Sequence, residues 1–189
     1  MVARLHFDGS RQEVRVRSAT AEVTIPSPID AVEQLFRAYH GLVFRAAYRI
    51  TGNLTDAEDV LQTVFLRLIG RDGAAPQVQN SERYLRRAAV NAALDVVRAR
   101  RVSESAPLPE SLPARGELER GELRECLRRS LASLSPQAAE IFALRFLEGY
   151  SNPEIARMLG VSQVWVAVTV HRARRRLQKE IRFYIGGRS

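Results

Sequence analysis

The amino-acid sequence predicts an all-α protein of two small helical domains joined by a flexible linker, preceded by a short N-terminal arm. Three observations carry that prediction. From Ile29 onward, apolar residues recur every three or four positions over long segments, the period of amphipathic helices. Residues 102–117 break that period with Pro107, Pro109, Pro113 and Gly116 among serines and glutamates, the composition of a linker. Beyond them, Ser151 to Leu177 has the pattern of a helix-turn-helix whose second helix ends in a run of arginines.

Residues 1–28 stand apart. Val2, Leu5 and Phe7 precede Asp8-Gly9, and Val14 and Val16 alternate with Arg15 and Arg17, which is a hairpin signal. An isolated hairpin is only marginally stable in water. The arm therefore either docks as a β-hairpin or stays disordered, and composition does not choose between the two. Pro26 and Pro28 close it off. The first domain follows over residues 29–101. Val32, Leu35, Phe36, Tyr39, Val43, Ala47 and Ile50 share one helical face, which Gly52-Asn53 interrupts. A second helix opens on Thr55-Asp56-Ala57-Glu58, a capping box, and carries Val60, Leu61, Val64, Phe65 and Leu68 on its apolar side. Residues 71–80, with Gly73 and Pro76, form a loop. A third helix runs from Ser81 to Arg101 and buries Leu85, Ala88, Ala89, Ala92 and Val96.

The second domain covers residues 118–185. Leu118, Leu123, Leu127, Leu131 and Leu134 open it, and Ser135-Pro136 starts a helix carrying Ile141, Phe142, Leu144 and Phe146 that ends at Gly149. Ser151-Asn152-Pro153-Glu154 is a second capping box, with Pro153 where a missing N–H costs little. Ile155, Ala156 and Leu159 face inward. Gly160 suits the left-handed residue that ends a helix, and Ser162 suits the cap of the next. This form places one helix in a DNA major groove.

Bulk properties agree. The chain has 189 residues and is 46% hydrophobic, enough to bury real cores. Its net charge of +8 favours a polyanionic partner, nucleic acid above all. An Arg-rich codon bias explains why Lys179 is the only lysine, but not the excess over acidic residues. Cys126 is the single cysteine, so a disulfide within the chain is excluded. His6, His40 and His171 lie in different segments, and neither a zinc site, a nucleophile elbow nor a phosphate-cradling glycine loop is visible. Asp56, Glu58 and Asp59 sit in a first helical turn, where carboxylates offset the helix dipole. The expectation is a protein with no catalytic residues, metal or cofactor, not an enzyme by itself, cytoplasmic and without membrane insertion.

The third helix is strongly basic. It carries Arg83, Arg86, Arg87, Arg98, Arg100 and Arg101 against Glu82 and Asp95. Arg87 lies one turn beyond Arg83 and Asn91 one turn beyond Arg87, with Tyr84 alongside. Arginines that hold phosphates beside a ring that stacks a base suit single-stranded nucleic acid. A solvated face of an Arg-rich protein is the plainer reading, and composition leaves both open.

Motif order points to a family. Asp56-Ala57-Glu58-Asp59-Val60-Leu61-Gln62-Thr63-Val64-Phe65-Leu66-Arg67-Leu68 resembles region 2.2 of bacterial RNA polymerase sigma factors. Tyr84 to Asp95 resembles their regions 2.3 and 2.4, and Leu134 to Leu177 resembles region 4. Two such units with only a short linker between them resemble the extracytoplasmic-function (ECF) class, over residues 29–182. The resemblance implies a helical region 2 bundle and a region 4 helix-turn-helix. It implies core RNA polymerase as partner through its β′ coiled coil and β flap, promoter DNA, and an anti-sigma factor as regulator. It assigns polymerase docking to Asp56, Glu58, Asp59, Gln62, Phe65 and Leu66, with Phe65 or Leu66 as an exposed apolar anchor. It assigns the −10 element and its melting to Asn80, Arg83, Tyr84, Arg87, Asn91 and Arg98, with Val78, Gln79, Asn80 and Ser81 shaping a pocket for a flipped base. It assigns the −35 element to Ser162, Gln163, Trp165, Thr169, Arg172 and Arg175.

Departures from the family pattern matter. Tyr84 stands where family members commonly have Trp, which keeps a stacking ring. Trp165, Ala167, Val168 and Thr169 stand where Thr, Lys, Ser and Arg are common. Only Gln163 and Arg172 there suit a bidentate base contact, so direct readout near −35 is expected to be weak. Trp165 and Val168 either face DNA or pack against the domain or a partner. Two rival functions stay open: a stand-alone helix-turn-helix regulator, and a sigma-like protein-interaction module.

Overall fold

A computed structural model describes residues 28–70, 80–103 and 115–186. The arm at 1–27 and most of the 71–80 loop, including Val78 and Gln79, lie outside the described residues. Seven helices are described: α1 (Pro28–Thr51), α2 (Leu54–Ile69), α3 (Ser81–Ser103), α4 (Arg115–Ser133), α5 (Pro136–Phe146), α6 (Asn152–Leu159) and α7 (Gln163–Gly186). The expected all-helical fold is what the described residues form. None of these helices is long and apolar enough to cross a membrane.

Helices α1, α2 and α3 pack mutually into a three-helix bundle. Val43, Ala46, Ala47 and Ile50 meet Ala57, Val60, Val64 and Leu68, and α3 adds Leu85, Ala89, Val90, Ala93 and Leu94. The alanines let the helix axes approach, while the branched residues fill the gaps between them. In the C-terminal half, α7 packs against α4, α5 and α6. Leu131, Ile141, Leu144, Ile155, Val166, Ala173 and Leu177 form its interior.

Local signals decide the helix ends. Gly52 has φ +63 and turns the chain between α1 and α2. Its missing side chain also matters, because a Cβ there would lie 2.9 Å from Nη1 of Arg128. The expected capping box at Thr55 is not the start of α2. The helix begins one residue earlier, because extended Asn53 caps it and accepts from the Asp56 N–H at 3.1 Å. The second box forms as expected: the Ser151 N–H and hydroxyl both donate to one Glu154 oxygen, at 2.9 and 2.6 Å. Gly160 is left-handed at φ 67, and the Ser162 hydroxyl accepts from the Trp165 N–H at 3.2 Å. Helix α5 ends at Phe146, with Gly149 in a left-handed turn after it.

Two features depart from the sequence reading. Residues 115–117, read as linker, are the first turn of α4, and α3 continues to Ser103. The two halves also do not stand apart. Helix α3 packs against both α4 and α5, and buried apolar residues of the two halves join in one continuous cluster. Tethering alone does not require contact; here the apolar area buried across the seam supplies a reason for it.

Candidate nucleic-acid interface

Helix α3 presents the predicted basic face. Asn80 and Arg83 are exposed at its start, and Tyr84, Arg87 and Asn91 are half-buried along it. Tyr84, Arg87, Ala88 and Asn91 line an open hollow of about 540 Å³ with Val64, Arg67 and Gly70. A ring, a hydrogen-bonding amide and two guanidinium groups thus share one concave surface. Arg67 was not singled out from sequence. It lies in the last turn of α2, and only the fold carries it to α3; its spacing within α2 holds no such signal.

The same face carries charges supplied by the other half of the chain. Arg87 Nε donates to Glu140 Oε1 at 2.6 Å, and Asn91 Nδ2 donates to the same oxygen at 3.0 Å. Arg87 Nη1 also donates to the Met158 carbonyl at 3.2 Å. Next to it, Arg86 reaches Glu82 at 2.6 Å and Glu148 at 2.9 Å, while Arg49 of α1 takes the second Glu148 oxygen at 2.9 Å. The Glu148 side chain is 0% exposed and that of Glu140 is 10%. Burial alone would push the Arg86 guanidinium down, but its hydrogen bonds to Glu82 and Glu148 hold it above its ordinary range. The Tyr150 phenol, 5.8 Å below the Arg86 guanidinium by its ring centre, is raised by burial against that cation's pull. Sequence reasoning missed Glu140 and Glu148. Glu140 interrupts the apolar run Ala138-Ala139-Glu140-Ile141-Phe142, and a charge in such a run is a sign of a buried partner.

Further along α3, Arg98 donates to Asp95 at 3.1 Å, and its Nε and Nη2 atoms are buried without a partner among the described residues. Arg98 is thus turned partly inward. Arg100 pairs with Asp56 at 2.7 Å.

Helix α2 divides the residues implied in polymerase docking. Glu58, Asp59 and Gln62 are exposed, and Leu66 is 65% exposed. Asp56 is buried against Arg100, and burial raises its carboxyl pKa despite the attraction of that arginine. Phe65 is no surface anchor: it is 5% exposed, and its ring meets Phe36 edge-on at 5.0 Å. The expectation of an exposed Phe65 is corrected because Phe65 shares the inward side of α2 with Leu61, Val64 and Leu68, whereas Leu66 is turned about 100° further round the helix.

Helix α7 buries Val166, Ala173 and Leu177 and turns Gln163, Val164, Trp165, Val168, Arg172, Arg175 and Arg176 outward. Thr169 is half-buried, and Ser162 is exposed at the cap. Trp165 and Val168 are 38% and 41% exposed, so each shows part of its apolar surface to solvent while the rest is covered.

Comparison with known proteins gives the same two units. Residues 35–102 match the sigma-70 region 2 family model, and residues 124–177 match the sigma-70 region 4 model. The chain is 34% identical to an RNA polymerase sigma-E factor of Streptomyces coelicolor, over 79% of this chain and 85% of that one. It is 31% identical to the ECF RNA polymerase sigma factor SigM of Mycobacterium tuberculosis, over 79% and 76%. The ECF RNA polymerase sigma factor SigW of Bacillus subtilis is 23% identical, over 81% and 90%. With both regions in order and such relatives matched over most of their length, the chain belongs to the ECF class of RNA polymerase sigma factors.

Proposed function

We propose that this sigma factor docks on core RNA polymerase through the exposed side of α2, engages an unpaired −10 strand with α3, and holds −35 duplex with α7. Its role in transcription initiation follows from the family. The residue roles are the proposal. Glu58, Asp59 and Gln62 offer acidic and polar contacts around Leu66, an apolar centre with a charged rim suited to the β′ coiled coil. Asn80, Arg83, Tyr84, Arg87 and Asn91, with Arg67 added, take the −10 strand: the arginines hold phosphates, and the hollow receives an unstacked base. Asp56 and Arg98 act in support, through Arg100 and Asp95, rather than by direct contact. On α7, Arg172 and Arg175 hold phosphates, while Ser162, Gln163, Trp165 and Thr169 meet the groove. The C-terminal domain would meet the β flap, and the place of action is the cytoplasm. The protein serves as a specificity subunit; the polymerase performs the catalysis.

The observation that carries this reading is the gathering of Tyr84, Arg87, Asn91 and Arg67 around one hollow. In-vitro transcription with bacterial core polymerase tests it. Tyr84→Ala should retain core binding and lose open-complex formation on duplex promoter, with partial recovery on a template already unpaired at −10. Equal activity of the variant on both templates would defeat the assignment.

The partly exposed apolar row Val164, Trp165 and Val168 favours a second reading for α7, in which an anti-sigma factor or another protein covers it. A salt series separates the two: phosphate contacts make affinity fall with salt, and a salt-insensitive complex marks a protein partner.

A further inference from the structure

We infer that Val164 and Val168 form an apolar reading edge on α7, which selects A·T pairs in the −35 duplex through thymine C5-methyl groups rather than through hydrogen bonds. This preference rests on the reading of α7 as the −35 helix. Val166, Ala173 and Leu177 define the buried side of α7. At about 100° per residue, the line opposite them runs through Val164, Val168, Arg172 and Arg175, all exposed. Its first two turns are apolar and its next two are cationic. Among the exposed residues of 163–170, only Gln163 and Trp165 carry a polar side-chain atom. Trp165 lies to one side of the line and is not part of the edge.

The N-terminal residues of a recognition helix meet base edges. On a major-groove edge the thymine methyl is the apolar feature, and the other features that carry the code are donors and acceptors. A valine against that methyl removes apolar area on both sides from water. A valine against a G·C edge strips water from donors and acceptors and returns no partner, so that pair is penalised. Val164 and Val168 are one turn apart, about 5.4 Å along the helix, against a base-pair rise of about 3.4 Å. The two valines therefore face thymines one or two base pairs apart. Charge identifies the occupant as DNA. The same line continues into Arg172 and Arg175, with Arg174 and Arg176 exposed beside it. Of these four, Arg176 alone has an ion pair among the described residues, to Glu180 at 3.3 Å. An apolar edge followed by uncompensated guanidinium groups matches a groove whose floor carries methyl groups and whose walls carry phosphates.

The test uses holoenzyme, the full chain with bacterial core polymerase, on a promoter library randomised over the −35 region. Sequences retained by the holoenzyme should carry two thymines one or two base pairs apart. The enriched promoter is then resynthesised with deoxyuridine at those two positions, which removes the methyl groups and leaves base pairing intact. Holoenzyme affinity should fall about tenfold, from about three- to fourfold per methyl. The double variant Val164→Ser with Val168→Ser should bind the thymine and uracil promoters within about twofold of each other. Both valines are exposed, so the variant should melt with the wild type. The thymine-to-uracil comparison on the wild-type chain needs no variant and stands even if the double variant folds poorly. An enriched −35 sequence without thymines, equal wild-type affinity for the two promoters, or a folded variant that discriminates as the wild type does, overturns the methyl edge and leaves α7 as the −35 helix. A library that returns no −35 sequence removes the −35 reading and the methyl edge together, and leaves the apolar row to a protein partner.

Discussion

Phe65 and Leu66 are neighbours in sequence and fall on opposite sides of one physical question. Replacing each with alanine should separate folding from docking. Phe65 is 5% exposed and packs edge-on against Phe36 at 5.0 Å. Truncating a buried phenylalanine removes transfer energy and leaves a cavity, at a cost of about 3–5 kcal/mol. The lost ring pair accounts for about 0.5–1.5 kcal/mol of interaction beyond simple burial. For a chain of this size each kcal/mol lowers Tm by about 2–4 °C, so Phe65→Ala should melt roughly 6–20 °C earlier. Leu66 is 65% exposed, and a surface truncation costs within about 0.5 kcal/mol of stability. If Leu66 is the apolar centre of the polymerase contact, its loss should weaken core binding by about 2 kcal/mol, roughly thirtyfold. Circular dichroism melts and competition for core polymerase read the two effects. A Phe65→Ala protein of wild-type Tm, or a Leu66→Ala protein of wild-type core affinity, would refute the reasoning at that residue.

Other outcomes follow from single contacts. Gly52→Ala must place a Cβ at φ +63, 2.9 Å from Arg128, and should destabilise the fold by about 1–2 kcal/mol in urea titrations. The Glu154 carboxyl is held below the usual range by the Ser151 hydroxyl and backbone N–H. Its stabilisation is therefore fully present above the unfolded-state value and is lost as pH falls through the lower folded one. Glu154→Gln should flatten that acid limb of a pH–stability curve, and an unchanged limb would contradict the cap. Replacing both Arg172 and Arg175 with alanine should make the slope of log affinity against log salt on duplex −35 DNA shallower by about 1.8, two phosphate contacts at 0.9 each. A slope equal to wild type would remove those arginines from the backbone contact.

Much of this protein is set by local chemistry and is readable from the chain alone. Helical period, the Ser151–Glu154 box, left-handed Gly160 and the Ser162 cap each depend on residues within a few positions of one another, so spacing specifies them. Motif order likewise carries family membership. Thr55 was misread because the Asn53 cap competes with it two residues upstream, and both are plausible on pattern. The inward turn of Phe65 lay beyond the motif because the motif names residue types, whereas burial is decided by which side of α2 meets Phe36 of α1. The adjoining hollow with Arg67, the capture of Asp56 by Arg100 and the hold of Glu140 on Arg87 join residues far apart along the chain. No periodicity encodes such pairs, because they exist only once helices have packed and desolvation makes each charge seek its nearest opposite. Sequence by itself determined what the helices are and what kind of protein they make. Only tertiary packing decided which arginines stay exposed and which are held by a carboxylate from a distant helix, because those pairs form only when the helices meet.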